Sequence, residues 1–190
     1  TQNPTYQKIA EEVCSDTSNL PYTTTYTDSY GETKTEQLQV GMTIVDPYTG
    51  YVVAMVGGAG VKQVDRGWNW AVNARQCGSA IKPVSTYAPA LDDGTINGAS
   101  VIDDYPMLLN GEVWPRNANW RYQGLTALHT AIAQSLNTCA VRTNLAYGVS
   151  NSYDFLVDKL GFENLTYTDS QQVGNMALGG FEKGVTTEEM

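Results

Sequence analysis

Residues 39–57 contain two apolar runs joined by turn-forming residues, and this pattern constrains the fold more than any other feature. In the first run apolar side chains alternate from Val40 to Ile44, and the second run follows at residues 51–56. Between them, residues 46–50 read DPYTG, a composition typical of turns. The segment therefore predicts a β-hairpin. Because both faces of its strands are apolar, we expect both faces to be covered.

Helical patterns lie on both sides of this hairpin. Residues 3–13 have the spacing of an amphipathic helix with a proline in its first turn. Residues 22–34, rich in Thr, Tyr and Asp, favour a strand or an exposed ribbon. After the hairpin, we predict a helix that begins near Ser79, with Ile81, Val84, Tyr87, Ala88 and Leu91 on a shared face.

The second half of the chain is predicted to be mainly helical. Residues 95–123 show no regular period, and Thr126 is a suitable N-cap for the helix that follows. Later helices are predicted to end at Gly148 and Gly161. The order of elements predicts an α+β fold, with helices packed on an antiparallel sheet that these residues leave incomplete.

Charge and hydropathy exclude several classes of function. The formal net charge of −9 argues against a nucleic-acid partner, which would require a basic face. No apolar run approaches the roughly 18 residues that span a bilayer, and no signal peptide opens the chain. The abrupt first and last residues suggest a portion of a longer protein, so any membrane anchor is expected to lie outside these residues.

The cysteines do not indicate a metal centre. Cys14, Cys77 and Cys139 form no CxxC pair, and the only histidine, His129, is isolated from them. We therefore predict no structural zinc site. The three thiols are expected to be free and buried, although one disulfide remains compatible with the sequence.

Two short motifs carry possible chemistry. Ser79 lies where a glycine-containing loop enters a helix, and Lys82, three residues later, projects from the same face. A lysine shielded from water has a lowered pKa and can accept a proton from a serine hydroxyl. In the second motif, Ser135 and Asn137 lie near a helix end, followed by Thr138, where a hydroxyl and an amide can face the first pair.

Each motif alone has a structural explanation. Ser79 can be a helix cap with Lys82 solvated, and the second motif can be an ordinary helix terminus. Their collinear arrangement, however, extends over nearly the whole chain. The chain resembles the transpeptidase domain of class A, bifunctional penicillin-binding proteins, which share S-x-x-K and S-x-N motifs. The matching segments are the opening helix at 1–13, the hairpin at 41–58, RQCGSAIKP at 75–83, the segments at 124–126 and 131–142, and ALGG at 177–180 with GVTTEEM at 184–190.

This resemblance implies a specific activity. We expect a peptidoglycan D,D-transpeptidase that cross-links stem peptides through an acyl-serine intermediate and is acylated by β-lactams. It implies catalytic roles for Ser79, Lys82, Ser135 and Asn137, and substrate contacts through Ser79, Asn137 and Thr138. Its location would be the extracytoplasmic face of the bacterial plasma membrane. The resemblance implies no metal or organic cofactor.

The sequence departs from the family pattern in three ways. Cys77 replaces the more usual proline, His129 stands where many members have arginine, and no K-T-G or K-S-G triplet follows Ser135. We therefore interpret residues 1–190 as the N-terminal portion of a single transpeptidase domain, truncated before that motif and weakly active or inactive alone. The alternatives are a β-lactam-binding sensor or other non-catalytic module, or a D,D-carboxypeptidase or β-lactamase.

Overall fold

The computed structural model describes residues 2–19, 23–62, 66–109 and 111–190, which form two compact units. The first unit comprises Thr1–Ala74 with Thr186–Glu188, and the second comprises Arg75–Val185 with Glu189–Met190. The assignment of residues 1–190 to the N-terminal portion of a single domain stays a prediction.

Helix α1 (Pro4–Ser15) opens the first unit as the sequence predicts. Its N-cap is Asn3, whose side-chain oxygen accepts hydrogen bonds from the backbone N–H groups of Thr5 (3.0 Å) and Tyr6 (3.4 Å). The helix docks on strand β4 through Gln7, whose amide exchanges two hydrogen bonds with the backbone of Met55. A short 3₁₀ turn, Thr17–Asn19, follows.

The N-cap of α1 makes a simple test of this unit. Asn3→Ala is expected to destabilise the protein by about 1 kcal/mol, because two N–H groups of the first turn lose their acceptor. Asn3→Asp should keep full stability, since a carboxylate also caps and suits the positive end of the helix dipole. Chemical denaturation of both variants measures the difference, and equal stability of Asn3→Ala and the wild type would contradict it.

Two antiparallel hairpins complete the first unit. Strands β1 (Thr23–Thr27) and β2 (Thr33–Gln37) form the predicted ribbon, and every residue in them is exposed. Strands β3 (Met42–Val45) and β4 (Val52–Val56) form the predicted apolar hairpin. The expectation that both its faces are covered is only partly correct, because most of its side chains are half-buried.

The second unit is mainly helical. A 3₁₀ turn (Gly78–Ile81) and a π-helical turn (Pro83–Tyr87) lead into α2 (Ala88–Asp92). The later helices are α3 (Leu128–Ala133), α4 (Asn137–Tyr147), α5 (Val149–Asp154) with a π-helical turn (Phe155–Lys159), α6 (Tyr167–Gln171) and α7 (Val173–Leu178). Gly148 and Gly161 end their helices with positive φ, as predicted.

Two predictions for this unit were wrong. Residues 95–123 are not wholly irregular, because they contain β5 (Val101–Asp104), β6 (Leu108–Leu109) and β7 (Glu112–Val113). Thr126 is not a helix cap but lies in β8 (Gly124–Ala127), which pairs antiparallel with β5. The β5–β8 pair depends on contacts between distant segments, which the local pattern does not reveal.

Two apolar clusters form most of the core of the second unit. One includes residues next to the segment that carries Ser79 and residues of α7, and its buried members are Ile81, Leu156, Phe162, Leu165, Met176, Phe181 and Val185. The other joins α2, β5, α3 and α4 through Tyr87, Ala90, Ile96, Ile102, Leu128, Ala131, Leu136, Cys139 and Ala140. Both motifs singled out in the sequence therefore sit on elements anchored in this core.

Candidate active site

Ser79 and Lys82 lie on the short helical segment that begins at Gly78. The backbone N–H of Lys82 donates to the carbonyl of Ser79, so the two residues are one turn apart. Ser79 is exposed, whereas the side chain of Lys82 is only 2% exposed. The segment thus presents a hydroxyl to solvent and holds an amine inside the protein.

The residues that the sequence places on one face of the helix after Ser79 are not all buried. Ile81 and Tyr87 are buried as expected, but Ala88 is exposed and Leu91 is 42% exposed. The π-helical turn at Pro83–Tyr87 explains the difference, because it holds more residues per turn than the 3.6 that the prediction assumed. π-Helical turns occur frequently at functional sites.

The second motif lies between two helices. α3 ends at Ala133 and α4 begins at Asn137, so Ser135 occupies the connecting turn. Ser135 has φ of +53°, a left-handed conformation that L-residues rarely adopt. This turn brings both polar side chains of the motif within hydrogen-bonding distance of Lys82 Nζ.

The ammonium of Lys82 joins the two motifs. Its Nζ donates to the Ser135 carbonyl oxygen (2.7 Å), to Ser135 Oγ (3.0 Å) and to Asn137 Oδ1 (2.6 Å). An ammonium has three N–H donors, and all three have acceptors here. The structure therefore brings Lys82, Ser135 and Asn137 together, as the sequence predicts.

The location of Lys82 also affects its proton affinity. Burial disfavours the charged ammonium and lowers the pKa of Lys82 from its ordinary value to about 8. The neighbouring Cys139 opposes this effect slightly. Burial, with a further contribution from Asp104, raises the pKa of the Cys139 thiol to about 11, so this group is neutral near physiological pH. Lys82 is thus able to exist as a neutral amine in mildly basic solution.

Ser79 is not hydrogen-bonded to this cluster. In the part of the chain that the structure describes, no hydrogen bond joins Ser79 Oγ to Lys82 Nζ. The two groups are held one turn apart by the backbone alone. The lysine must give up one of its three present acceptors before it can accept a proton from the serine.

Glycines of the ALGG and GVT segments lie against the backbone of the loop that precedes Ser79. Gly179 has φ of +75°, and a Cβ added to it would lie 2.1 Å from the carbonyl oxygen of Gly78. Gly184 has φ of +92°, and its Cβ would lie 2.1 Å from the carbonyl carbon of Arg75. Arg75 and Val185 also exchange two backbone hydrogen bonds of 2.9 and 2.8 Å. The loop before Ser79 is therefore fixed by close backbone contact.

Two buried residues near the site were missed by sequence reasoning. Asp104, at the end of β5, and Asn117, in the loop before β8, are 0% and 3% exposed. Asn117 Oδ1 accepts hydrogen bonds from the backbone N–H groups of Asn137 (2.8 Å) and Thr138 (3.4 Å). No spacing rule marks such residues, because the contacts depend on the pairing of β5 with β8.

The geometry does not favour Thr138 as a substrate contact. Its side chain is 0% exposed, and its hydroxyl donates to the carboxylate of Asp104. A substrate that reaches the exposed Ser79 would not reach this hydroxyl. Thr138 lies in the first turn of α4, and its contact with substrate stays a prediction.

The remaining groups considered in the sequence have no part in the cluster. His129 is exposed on α3. Cys14, Cys77 and Cys139 are free thiols. Among the described residues, no group of His, Cys, Asp or Glu side chains is arranged to hold a metal ion, and no helix is long and apolar enough to cross a membrane.

The strained backbone at Ser135 leads to a stability prediction. Ser135→Gly is expected to be about 1 kcal/mol more stable than Ser135→Ala, because a left-handed φ penalises any residue with a Cβ. Both variants remove the same hydroxyl. Ser150, inside α5, gives the matched control: there the glycine variant should be about 1 kcal/mol less stable than alanine. Denaturant titration measures all four, and a glycine variant at 135 less stable than alanine would contradict the strain.

Comparison with known proteins identifies the family. The penicillin-binding protein transpeptidase domain matches residues 40–177, which include every member of the Lys82 cluster. The chain belongs to this family. Penicillin-binding protein 1A of Clostridium perfringens (strain 13) is 33% identical over 184 residues, and that of Streptococcus oralis is 38% identical over 135 residues. The alignments cover 93% and 68% of this chain and 26% and 21% of those proteins.

Solved transpeptidases have the same α+β fold. Penicillin-binding protein 1A from Haemophilus influenzae matches 87% of this chain with a TM-score of 0.65 at 26% identity, over 24% of its own chain. PonA1 from Mycobacterium tuberculosis, in complex with penicillin V, matches 99% of this chain with a TM-score of 0.72 at 21% identity, over 47% of its own chain. The relatives confirm the resemblance to class A penicillin-binding proteins. This chain spans about a quarter of the length of the curated relatives it matches.

Proposed function

We propose that these residues carry the acylation site of a peptidoglycan D,D-transpeptidase, with Ser79 as the nucleophile and Lys82 as its general base. The single observation that supports this most strongly is the buried Lys82 ammonium, bonded to both side chains of the second motif. A surface lysine next to a capping serine would be solvated instead. Burial brings the pKa of Lys82 to about 8, within the range useful to a general base.

The acylation step follows from this arrangement. Neutral Lys82 has two N–H donors and one lone pair, so it can keep two of its three acceptors while the lone pair takes the proton of Ser79 Oγ. The oxygen then attacks the carbonyl carbon of the penultimate D-alanine of a stem peptide. An ester bond to Ser79 forms, and the C–N bond to the terminal D-alanine breaks.

The leaving amine must receive a proton. Ser135 Oγ lies 3.0 Å from Lys82 Nζ and can relay the proton from the lysine to the leaving nitrogen. Asn137 accepts a hydrogen bond from Lys82 through Oδ1 and donates to the Arg116 carbonyl through Nδ2 (2.7 Å), which keeps its amide in one orientation. We propose that Asn137 both holds the lysine and contacts the substrate amide.

Deacylation completes the reaction. The amine of a neighbouring stem peptide attacks the ester carbonyl, an amide forms, and the bond to Ser79 Oγ breaks with return of its proton. A β-lactam follows the first step only: its ring C–N bond opens and the acyl group stays on Ser79. The proposed partners are therefore stem peptides and β-lactams. We expect the reaction at the extracytoplasmic face of the bacterial plasma membrane, with a membrane anchor and the remainder of the transpeptidase domain outside these 190 residues.

The oxyanion hole is expected to need further residues. We propose the backbone N–H of Ser79 as one donor. By resemblance to the family, we propose that the second donor lies on the strand of the K-T-G motif, which does not occur after Ser135 in these residues. Loss of one oxyanion donor costs about 10²–10³-fold in rate in a comparable enzyme. Residues 1–190 alone are accordingly expected to acylate slowly or not at all.

Mass spectrometry of the full-length protein after incubation with benzylpenicillin tests the nucleophile. One adduct that maps to Ser79 is expected, with none in Ser79→Ala and an unchanged adduct in the control Ser150→Ala, an exposed serine on α5. An adduct on another residue, or no adduct, would overturn the assignment of Ser79.

A turnover assay separates the transpeptidase from its rivals. A stem pentapeptide ending in D-Ala-D-Ala is incubated with the protein, with and without an amine acceptor. A transpeptidase releases D-alanine and forms the cross-linked amide. Release with water as the only acceptor would indicate a carboxypeptidase, rapid penicillin hydrolysis would indicate a β-lactamase, and a permanent adduct without turnover would indicate a sensor.

A further inference from the structure

The carboxylate of Asp104 is buried without a cationic partner. It is 0% exposed, and no lysine or arginine of the described residues forms an ion pair with it. Burial of a charge is unfavourable unless hydrogen bonds replace its water. Here Oδ1 accepts from Asn117 Nδ2 (2.7 Å) and from the Thr138 hydroxyl, and Oδ2 accepts from the backbone N–H of Gln123 (2.9 Å).

The hydrogen bonds of Asn117 Nδ2 determine the orientation of its side-chain amide. Its Nδ2 group donates to Asp104 and to the Arg121 carbonyl (2.9 Å), both of which can only accept. The carbonyl end of the amide must therefore point the other way, toward the start of α4. An amide turned over would set its oxygen against the carboxylate.

The fixed amide completes the N-terminus of α4. Leu136, the N-cap residue, has no side chain able to cap, so the first N–H groups of the helix need an acceptor from elsewhere. Asn117 Oδ1 supplies it to Asn137 and Thr138. Asn137 is also the residue whose side chain accepts from Lys82 Nζ. A continuous chain of hydrogen bonds thus runs from Asp104 through Asn117 and Asn137 to Lys82.

We infer that Asp104 is a positioning residue of this active site, which acts through Asn117 to hold Asn137 against Lys82. The inference rests on the proposed function, since it concerns the acylation of Ser79. Asp104 does not face the exposed side of the site and takes no part in the chemistry. Its effect is to fix the place of the amide that receives the lysine.

The neighbouring residue offers a matched control. Asp103 lies one position earlier on β5 and is exposed. Asp104→Asn and Asp103→Asn remove the same charge and add the same amide, but only the first alters the buried network. In full-length protein, Asp104→Asn is expected to slow acylation by benzylpenicillin about tenfold or more, and Asp103→Asn to leave it within about twofold.

Hydrogen–deuterium exchange gives a readout that does not require activity. In Asp104→Asn the backbone amides of Asn137 and Thr138 are expected to exchange about five- to tenfold faster. This factor corresponds to the free energy that is lost when a helix cap is removed. The amide of Val141, farther along α4, should keep its rate. If Asp104→Asn does not fold, Asn117→Ala removes the same cap and is expected to give the same two results.

A compensating variant tests the direction of the hydrogen bonds. With Asp104→Asn and Asn117→Asp together, the new amide can donate to a carboxylate that caps the helix, although the Arg121 carbonyl loses its donor. Protection of Asn137 and the acylation rate should therefore both return in part. Such recovery would show that the two positions are energetically coupled, because two substitutions with independent effects would not compensate for each other.

Each result has a distinct meaning. If Asp104→Asn lowers only the melting temperature, while exchange at Asn137 and the acylation rate of the folded protein match the wild type, Asp104 is merely structural and the inference is overturned. If the wild type forms no adduct on Ser79, the proposed function fails. The exchange at Asn137 and Thr138 then still decides whether Asp104 positions the start of α4.

Discussion

Replacement of Lys82 by arginine is expected to lower the rate of Ser79 acylation by a penicillin about 10²–10⁴-fold, the usual contribution of a general base. Arginine keeps the positive charge and the N–H donors, but its guanidinium cannot lose a proton near neutral pH. The substitution therefore removes the base function and retains the charge. Because Lys82 is buried, the larger side chain can also strain the site, and Lys82→Gln provides a second variant of similar size to lysine.

A fluorescent penicillin measures the second-order rate constant of acylation for these variants. Lys159→Arg is the matched control, because the Lys159 side chain is 65% exposed and the same exchange there should leave the rate unchanged. Thermal melting shows whether each variant is folded. A folded Lys82→Arg that is acylated within about threefold of the wild-type rate would contradict the assignment of Lys82 as base.

The same residue sets the pH dependence of acylation. The rate is expected to rise with pH and to level off above an apparent pKa near 8. Below that pH, Lys82 is an ammonium without a lone pair, and above it the neutral amine can take the proton of Ser79. The rate constant measured from pH 6 to 10 tests this, with Lys82→Gln expected to lack the step. A wild-type rate constant that does not change with pH across this range would contradict the prediction.

Gly179→Ala is expected to reduce acylation about 10²-fold or more and to destabilise the protein. The added methyl group would lie 2.1 Å from the Gly78 carbonyl oxygen, and the left-handed φ of +75° strains any residue other than glycine. The contact is with backbone, which cannot rotate out of the way. The loop before Ser79 must therefore move, and a displacement of about 1 Å can cost 10²-fold in rate.

Gly180→Ala is the matched control for this prediction. Its Cβ would meet only Asn175 Oδ1 at 3.7 Å and the Gly174 carbonyl at 4.0 Å, and its φ lies outside the left-handed region. The two adjacent glycines thus differ in φ and in their contact with the loop that carries Ser79. Acylation rates and melting temperatures of the two variants measure the difference. Equal rates in the folded variants would show that the loop tolerates displacement.

Much of the fold follows from local pattern. The α1 helix, the β3–β4 hairpin and the glycine-terminated helices were predicted correctly, because each depends on periodicity or on a turn within a few residues. The burial of Ala88 and Leu91 was predicted wrongly, because the π-helical turn changes the number of residues per turn. Thr126 was assigned to a helix because nothing nearby shows that it pairs with Ile102 in β5.

The sequence predicted the polar residues of the candidate site but not the buried residues that hold them in place. The motif spacings pointed to Ser79, Lys82, Ser135 and Asn137. In the structure, hydrogen bonds connect the last three of these residues. Their roles in catalysis stay predictions. Asp104 and Asn117 were missed, since their importance lies in contacts across 13 to 34 positions of sequence. The left-handed backbone of Ser135, with φ of +53°, likewise has no local sequence signal.

The pairing of Arg75 with Val185 has a consequence for how the protein is made. The two residues are 110 positions apart, so Ser79, Lys82 and Asn137 are all synthesised before Val185. Until then, the loop that carries Ser79 lacks its backbone partner and its contact with Gly179. The loop that carries Ser79 is therefore completed late in translation, and a nascent chain stalled before Gly179 would contain Ser79, Lys82 and Asn137 without these backbone contacts.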